Sequence, residues 1–206
     1  VLVSGQRTQV RDNYLLLHGS RDGDVSTFEG YKTYDRSHAV DLAKPTQLAQ
    51  GFKSLLWIHH ANHNYFNSVW GQESERTLGR NQQEQIAKVY LSALAQAVLQ
   101  DKLEYMDLLR NHRFGVEAGW LPTDINLVSQ YQDPYRRFIQ HFEESDSSVV
   151  VSSPVTGVVN TSSINVRKQS FFGTPTGILY QETQGVRLEW SVSNGVYLIK
   201  LDSKTL

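Results

Sequence analysis

The sequence predicts an α/β fold: a short parallel sheet, then a helical segment, then a β-rich module. Three observations carry that expectation. Tyr14-Leu15-Leu16-Leu17-His18 is an unbroken, largely apolar run that stops at Gly19, which suits a parallel strand covered on both faces. Lys53-Ser54-Leu55-Leu56-Trp57-Ile58-His59 is a second strand-like run. The stretch between the two leaves room for one crossover, so together they read as a βαβ unit. Further on, Ile86, Val89, Tyr90, Ala93, Leu94, Ala97 and Val98 recur at the i, i+3, i+4 spacing of an amphipathic helix.

These textures divide the 206 residues into three regions. In the first, residues 1–78, the two strands alternate with Gly/Asp-rich turns, and Pro45 to Gln50 fits a short helix. In the second, residues 79–145, the apolar stripe is followed by Asp101 and Glu104, spaced as a capping box for a helix through Leu103, Met106 and Leu109 that Gly115 would end. Asp133-Pro134 reads as an N-cap with proline at the first helical position, leading into Phe138 and Phe142. Core packing is the ordinary use of such stripes. The polar stretch Glu143-Glu144-Ser145-Asp146-Ser147-Ser148 reads as a linker. In the third region, residues 149–206, the candidate strands are Ile178-Leu179-Tyr180, Val186 to Trp190 and Val196 to Leu201, with Asn194-Gly195 as a two-residue hairpin signal. That module is short for a sandwich, which usually needs about 100 residues.

Composition excludes several classes of function. The net charge is −1, from 20 basic and 21 acidic residues without a basic block, so nucleic-acid binding has no electrostatic support. No apolar run approaches the roughly 20 residues of a membrane-spanning helix. The absence of cysteine removes disulfides, thiolate metal sites and a cysteine nucleophile. Val1 to Gly5 lacks the basic start and apolar core of a signal peptide. Asn160-Thr161-Ser162 matches a glycosylation acceptor, a triplet that also arises often by chance.

The chemistry-bearing residues lie just past the two predicted strands. Leu15-Leu16-Leu17-His18-Gly19-Ser20-Arg21-Asp22-Gly23-Asp24-Val25 runs from strand into a turn with an aspartate three residues after the glycine. Leu55-Leu56-Trp57-Ile58-His59-His60-Ala61-Asn62-His63-Asn64-Tyr65-Phe66 runs from strand into a loop that presents a histidine. In open α/β sheets, ligand chemistry gathers at the carboxyl ends of strands. A carboxylate held against an imidazole there can set its tautomer and stabilise its charged form.

These two segments resemble the C-terminal part of α/β-hydrolases, especially the dienelactone hydrolase, chlorophyllase and platelet-activating-factor acetylhydrolase group. That group carries a strand followed by His-Gly-x-x-Asp-x-x-Val, matched by His18 to Val25. Later it carries a histidine before an aromatic, similar to Ala61-Asn62-His63-Asn64-Tyr65-Phe66. The resemblance covers about residues 10 to 75. It implies Asp22 as the acid of a Ser-Asp-His triad and His63 as the base, in a serine hydrolase cleaving small-molecule or lipid-like carboxylic esters; Asp24, which has the same turn chemistry, is the reserve acid. In such enzymes the chain order is serine, acid, histidine. No Gly-x-Ser-x-Gly elbow occurs in this sequence. The nucleophile and the oxyanion-hole strand are therefore expected upstream of Val1, and the missing N-terminal half becomes the chain's partner. The isolated chain is expected to be inactive.

The plainer readings are a turn aspartate for Asp22 and a surface or capping histidine for His63. Under them the chain is a non-catalytic binding or structural protein on a hydrolase scaffold. His59 and His60 are expected to be structural. His59 and His63 are four residues apart, but they lack the glutamate of His-Glu-x-x-His and lie on a strand-to-loop segment. No metal or cofactor is assigned. Exposed aromatics in the last region suit sugar binding, with core packing as their default use.

Overall fold

In the computed structural model the described residues are 8–9, 13–25, 30, 33–34, 37–38, 51–71, 77–135, 139–140, 142, 151, 156–170 and 184–202. The chain divides into two compact units, residues 1–135 and 136–206.

The first unit is a mixed α/β structure. Its strands are β1 (Thr8–Gln9), β2 (Tyr14–Gly19), β3 (Ser37–His38), β4 (Lys53–Ile58) and β5 (Leu127–Gln132), and helices α1 (Arg80–Leu99), α2 (Met106–Arg110) and α3 (His112–Glu117) all lie in the connection between β4 and β5. β2 and β4 pair in parallel from Tyr14↔Lys53 to Gly19↔Ile58, as the two apolar runs predict. β1 pairs in parallel with β3.

Two expectations need correcting here. Residues 79–145 are not helical throughout, because Leu127–Gln132 pairs antiparallel with β4, from Lys53↔Gln132 to Ile58↔Leu127. β4 is thereby the central strand, and its adjacent Leu55 and Leu56 are both buried although they face opposite sides. β2, expected to be covered on both faces, is an outer strand of this three-stranded sheet and is half-buried from Tyr14 to Leu17.

The core lies between β4 and the helices. Ile86, Tyr90, Ala93 and Ala97 form the buried stripe of α1 and pack with Leu56, Ile58, Leu108, Leu109 and Leu121. Fully burying one such aliphatic side chain stabilises the fold by roughly 1.5–3 kcal/mol. The Ser54 hydroxyl donates to the Leu109 carbonyl at 2.7 Å, tying β4 to α2.

Helix ends also depart from expectation. Asp101 does not build a capping box. It takes a left-handed backbone (φ 52°) just past α1, and the Lys102 amide reaches back to the Gln96 carbonyl at 3.2 Å. A residue that closes one helix in this way is unavailable to start the next. Gly115 does not end a helix either. The break comes at Asn111, whose side chain accepts from the Arg113 amide and caps α3, with Gly115 inside α3. Glycine suits this close packing, since a Cβ would sit 2.6 Å from Leu108 Cδ1 and 2.8 Å from Leu121 Cδ1, and both leucine side chains would have to shift. After β5, Asp133 forms a side-chain turn with the Tyr135 amide at 3.0 Å. Residues 139, 140 and 142 are not helical, and Phe142 has φ 63°. Phe138, the 45–50 helix, the 143–148 linker and the Ile178–Tyr180 strand lie outside the described residues.

In the second unit, β6 (Gly157–Ser162) pairs antiparallel with β9 (Val196–Leu201), and β7 (Asn165–Ser170) with β8 (Gln184–Glu189). The expected Asn194-Gly195 hairpin is not formed, because the strands on either side of it pair with other partners. The two pairings are instead successive stretches of one ribbon. Residues 163–164 on one side face residues 190–195 on the other, a large bulge. Gly195 serves close approach there, since a Cβ would lie 2.5 Å from Ile164 Cγ2. Among the described residues this unit forms two two-stranded antiparallel sheets. Trp190 at its bulge is 64% exposed, so it is not a core residue.

Candidate active site

The site is built from the two turns that leave the parallel strands. Beyond β2 and β4 the chains stay together. The Ser20 amide donates to the Ile58 carbonyl at 3.0 Å and the Arg21 amide to the Ala61 carbonyl at 2.8 Å. The Ser20 hydroxyl accepts from the His60 amide at 2.8 Å. Gly19 permits this approach: a Cβ on it would stand 2.5 Å from the Ala61 carbonyl oxygen.

Asp22 and His63, 41 positions apart in the sequence, meet across these turns. Asp22 Oδ2 is 3.1 Å from His63 Nδ1. The other carboxylate oxygen, Oδ1, accepts from the Val25 amide at 2.7 Å and the Asp24 amide at 3.1 Å. The carboxylate is thus held at both oxygens. An imidazole that donates from Nδ1 to it leaves Nε2 as the basic nitrogen. The side chains are 9% and 31% exposed, so the aspartate is sheltered and the imidazole reaches solvent. Asp24, the reserve acid, takes a different place: its carboxylate is 69% exposed and stands 3.8 Å from His63 Nε2.

The His63 loop is anchored from α1. Gln83, fully buried, accepts from the Asn62 amide at 3.1 Å and donates to the Asn62 carbonyl at 2.6 Å. Asn62, also fully buried, accepts at Oδ1 from the Tyr65 amide at 2.8 Å. Downstream, Arg80 donates to the carbonyls of Asn67 and Trp70 and lies over the Tyr65 ring, 4.4 Å from its centroid. The loop so held places the Trp70 indole against the His63 imidazole, with centroids 5.7 Å apart and planes 12° from parallel. His59 and His60 stack on each other at 3.9 Å.

A hollow of about 310 Å³ adjoins the pair, with Leu16, Leu17, Val25, Phe66 and Trp70 among its walls alongside Asp22 and His63. His18 also lines it and is itself 4% exposed. Burial holds the His18 imidazole below the usual histidine range, against the opposing pull of the Asp22 charge. A larger hollow, about 680 Å³, lies at the ribbon's bulge. Its carboxylate, Glu189, is bound by Arg167 at 2.5 Å and Arg187 at 2.9 Å and held below the usual carboxylate range, first by the Arg167 hydrogen bond. A carboxylate neutralised in this way is a poor base, which leaves the smaller hollow as the better chemical site.

Sequence reasoning reached Asp22 and His63 but missed Gln83 and Trp70. Gln83 had a legible signal, a polar residue in register with the buried stripe of α1. Trp70, seven residues past His63, had none. No protein-family model, curated protein or solved structure matches the chain.

Proposed function

We propose that this chain is the C-terminal part of an α/β-hydrolase-type serine hydrolase that cleaves carboxylic esters. Asp22 is the triad acid and His63 the base, and the serine comes from a segment preceding Val1. The observation that carries the reading is the 3.1 Å Asp22–His63 contact, made at the carboxyl ends of adjacent parallel strands. Asp22 fixes the imidazole with Nδ1 as donor and stabilises the imidazolium that forms when Nε2 takes the serine proton. His63 then returns that proton to the leaving alcohol, and the acyl-enzyme is hydrolysed by the same groups acting on water. On this reading residues 1–206 alone do not turn over ester, and the substrate is a small-molecule or lipid-like ester.

The test is fluorophosphonate labelling of the protein together with its upstream segment, wild type beside His63→Ala. The expected result is labelling of the wild type at one serine before Val1, and a loss of esterase rate in the variant of about 10⁴-fold or more. A folded protein that does not label, or a variant that keeps its rate, would sink the proposal.

One observation favours a second reading. Asp24 faces Nε2 at 3.8 Å, so His63 is flanked by two carboxylates, as a purely structural imidazolium on a non-catalytic scaffold would be. That reading predicts no labelling of either protein.

A further inference from the structure

We infer that the hollow beside His63 is an acyl site for short to medium aliphatic chains of neutral esters, with Trp70 as its specificity-determining wall. The inference rests on the hydrolase reading for its ester chemistry.

Size sets the first limit. At about 310 Å³ the hollow lies at the low end of small-molecule sites, which run from roughly 300 to 1,000 Å³. At about 30 Å³ per water-sized group it holds roughly ten non-hydrogen atoms. An acyl chain of about eight carbons fills it. Lining sets the second limit. Leu16, Leu17, Val25 and Phe66 offer an aliphatic chain apolar surface.

Charge sets the third limit. Asp22 and Asp24 both stand against His63, and His18 is held toward its neutral form by burial. A free carboxylate entering the hollow meets the Asp22 charge in its wall, with the Asp24 charge beyond His63 Nε2, whereas an uncharged ester is not repelled. The same field expels the acid that ester cleavage would release.

Trp70 joins the hollow to the imidazole. It lines the hollow, stacks on His63 and is 51% exposed, and its backbone carbonyl is held by Arg80. An indole held by its own backbone and open to solvent can be replaced without emptying the core. Trp70→Ala therefore removes one wall and leaves the fold.

The experiment is a calorimetric titration of the protein with three probes: octanamide, butanamide and octanoate. Octanamide is expected to bind at least about tenfold more tightly than butanamide, since four further methylenes leave water. It should bind at least about tenfold more tightly than octanoate at pH 7.5. Trp70→Ala should weaken octanamide by about tenfold with its circular dichroism unchanged, and Trp70→Phe should restore most of the loss. Equal binding of octanamide and butanamide, or octanoate as tight as octanamide, would overturn the inference. So would a folded Trp70→Ala that binds like wild type. Fluorophosphonate labelling separates the two readings. Octanamide selectivity without labelling leaves the apolar site and removes the hydrolase, whereas labelling without selectivity does the reverse.

Discussion

Replacing Gly19 with alanine tests how closely the two site turns are pressed together. Gly19 is not in the left-handed region, so its φ suits any residue and the requirement for glycine is spatial. The added Cβ would stand 2.5 Å from the Ala61 carbonyl oxygen and 2.8 Å from its carbon, where ordinary contact begins at 3.4 Å. Both atoms are backbone, so the loops must part by about 0.9 Å to restore that spacing. Passed on in full, this shift would stretch the 3.1 Å Asp22–His63 contact to about 4.0 Å, beyond hydrogen-bond reach. Overpacking of this kind costs about 1–3 kcal/mol, and weakening the Arg21–Ala61 bond about 1 more. The stiffer unfolded chain returns up to about 1 kcal/mol. The net loss, about 2 kcal/mol, should lower a urea midpoint by about 1 M. The assay is urea unfolding followed by tryptophan fluorescence, with the His63 Nδ1 proton observed by nitrogen-edited NMR. An unchanged midpoint with that proton still protected would refute the steric argument.

Further outcomes follow from the same geometry. Gln83→Ala removes two hydrogen bonds to the Asn62 backbone at a fully buried site and should cost about 2–4 kcal/mol. Faster hydrogen exchange at Tyr65 should accompany that loss, and an exchange rate like wild type would contradict the anchoring role. Tyr90 is fully buried with no hydrogen-bond partner for its hydroxyl among the described residues, and burial pushes its ionisation well up. Tyr90→Phe should therefore leave stability unchanged or raise it by about 1 kcal/mol, and a loss above that size would reveal an unseen partner. His18 and His112 are both pulled below the usual histidine value of 6.5, chiefly by burial, so the folded state binds fewer protons there than the unfolded chain. Their contribution is fully present above pH 6.5 and is lost as pH falls toward the folded values. Urea midpoints should thus fall between pH 7.5 and 5.5, less steeply in His18→Asn, and an identical slope in that variant would exclude His18 as a cause.

What the sequence determined by itself is the part of the molecule where burial follows a local period. The apolar runs at Tyr14 to His18 and Leu55 to Ile58 became parallel neighbours, and the Ile86 to Ala97 stripe became the buried face of α1. Asp22 and His63 were legible because each follows a strand, and parallel strands in register deliver their following turns to the same place. Tertiary structure decided the rest, since a local period says which residues leave water but not which neighbour receives them. Leu127–Gln132 gave little strand signal, with only its end residues buried, and became a strand by pairing with β4. Asn194-Gly195 has the residues of a tight hairpin, yet the strands around it found longer-range partners across the bulge. Asp101 carried the letters of a helix start but was used at a helix end, where its left-handed backbone closes α1. The stack of Trp70 on His63 depends on Arg80, ten residues further on, and no spacing rule encodes a contact made by folding a loop against a helix.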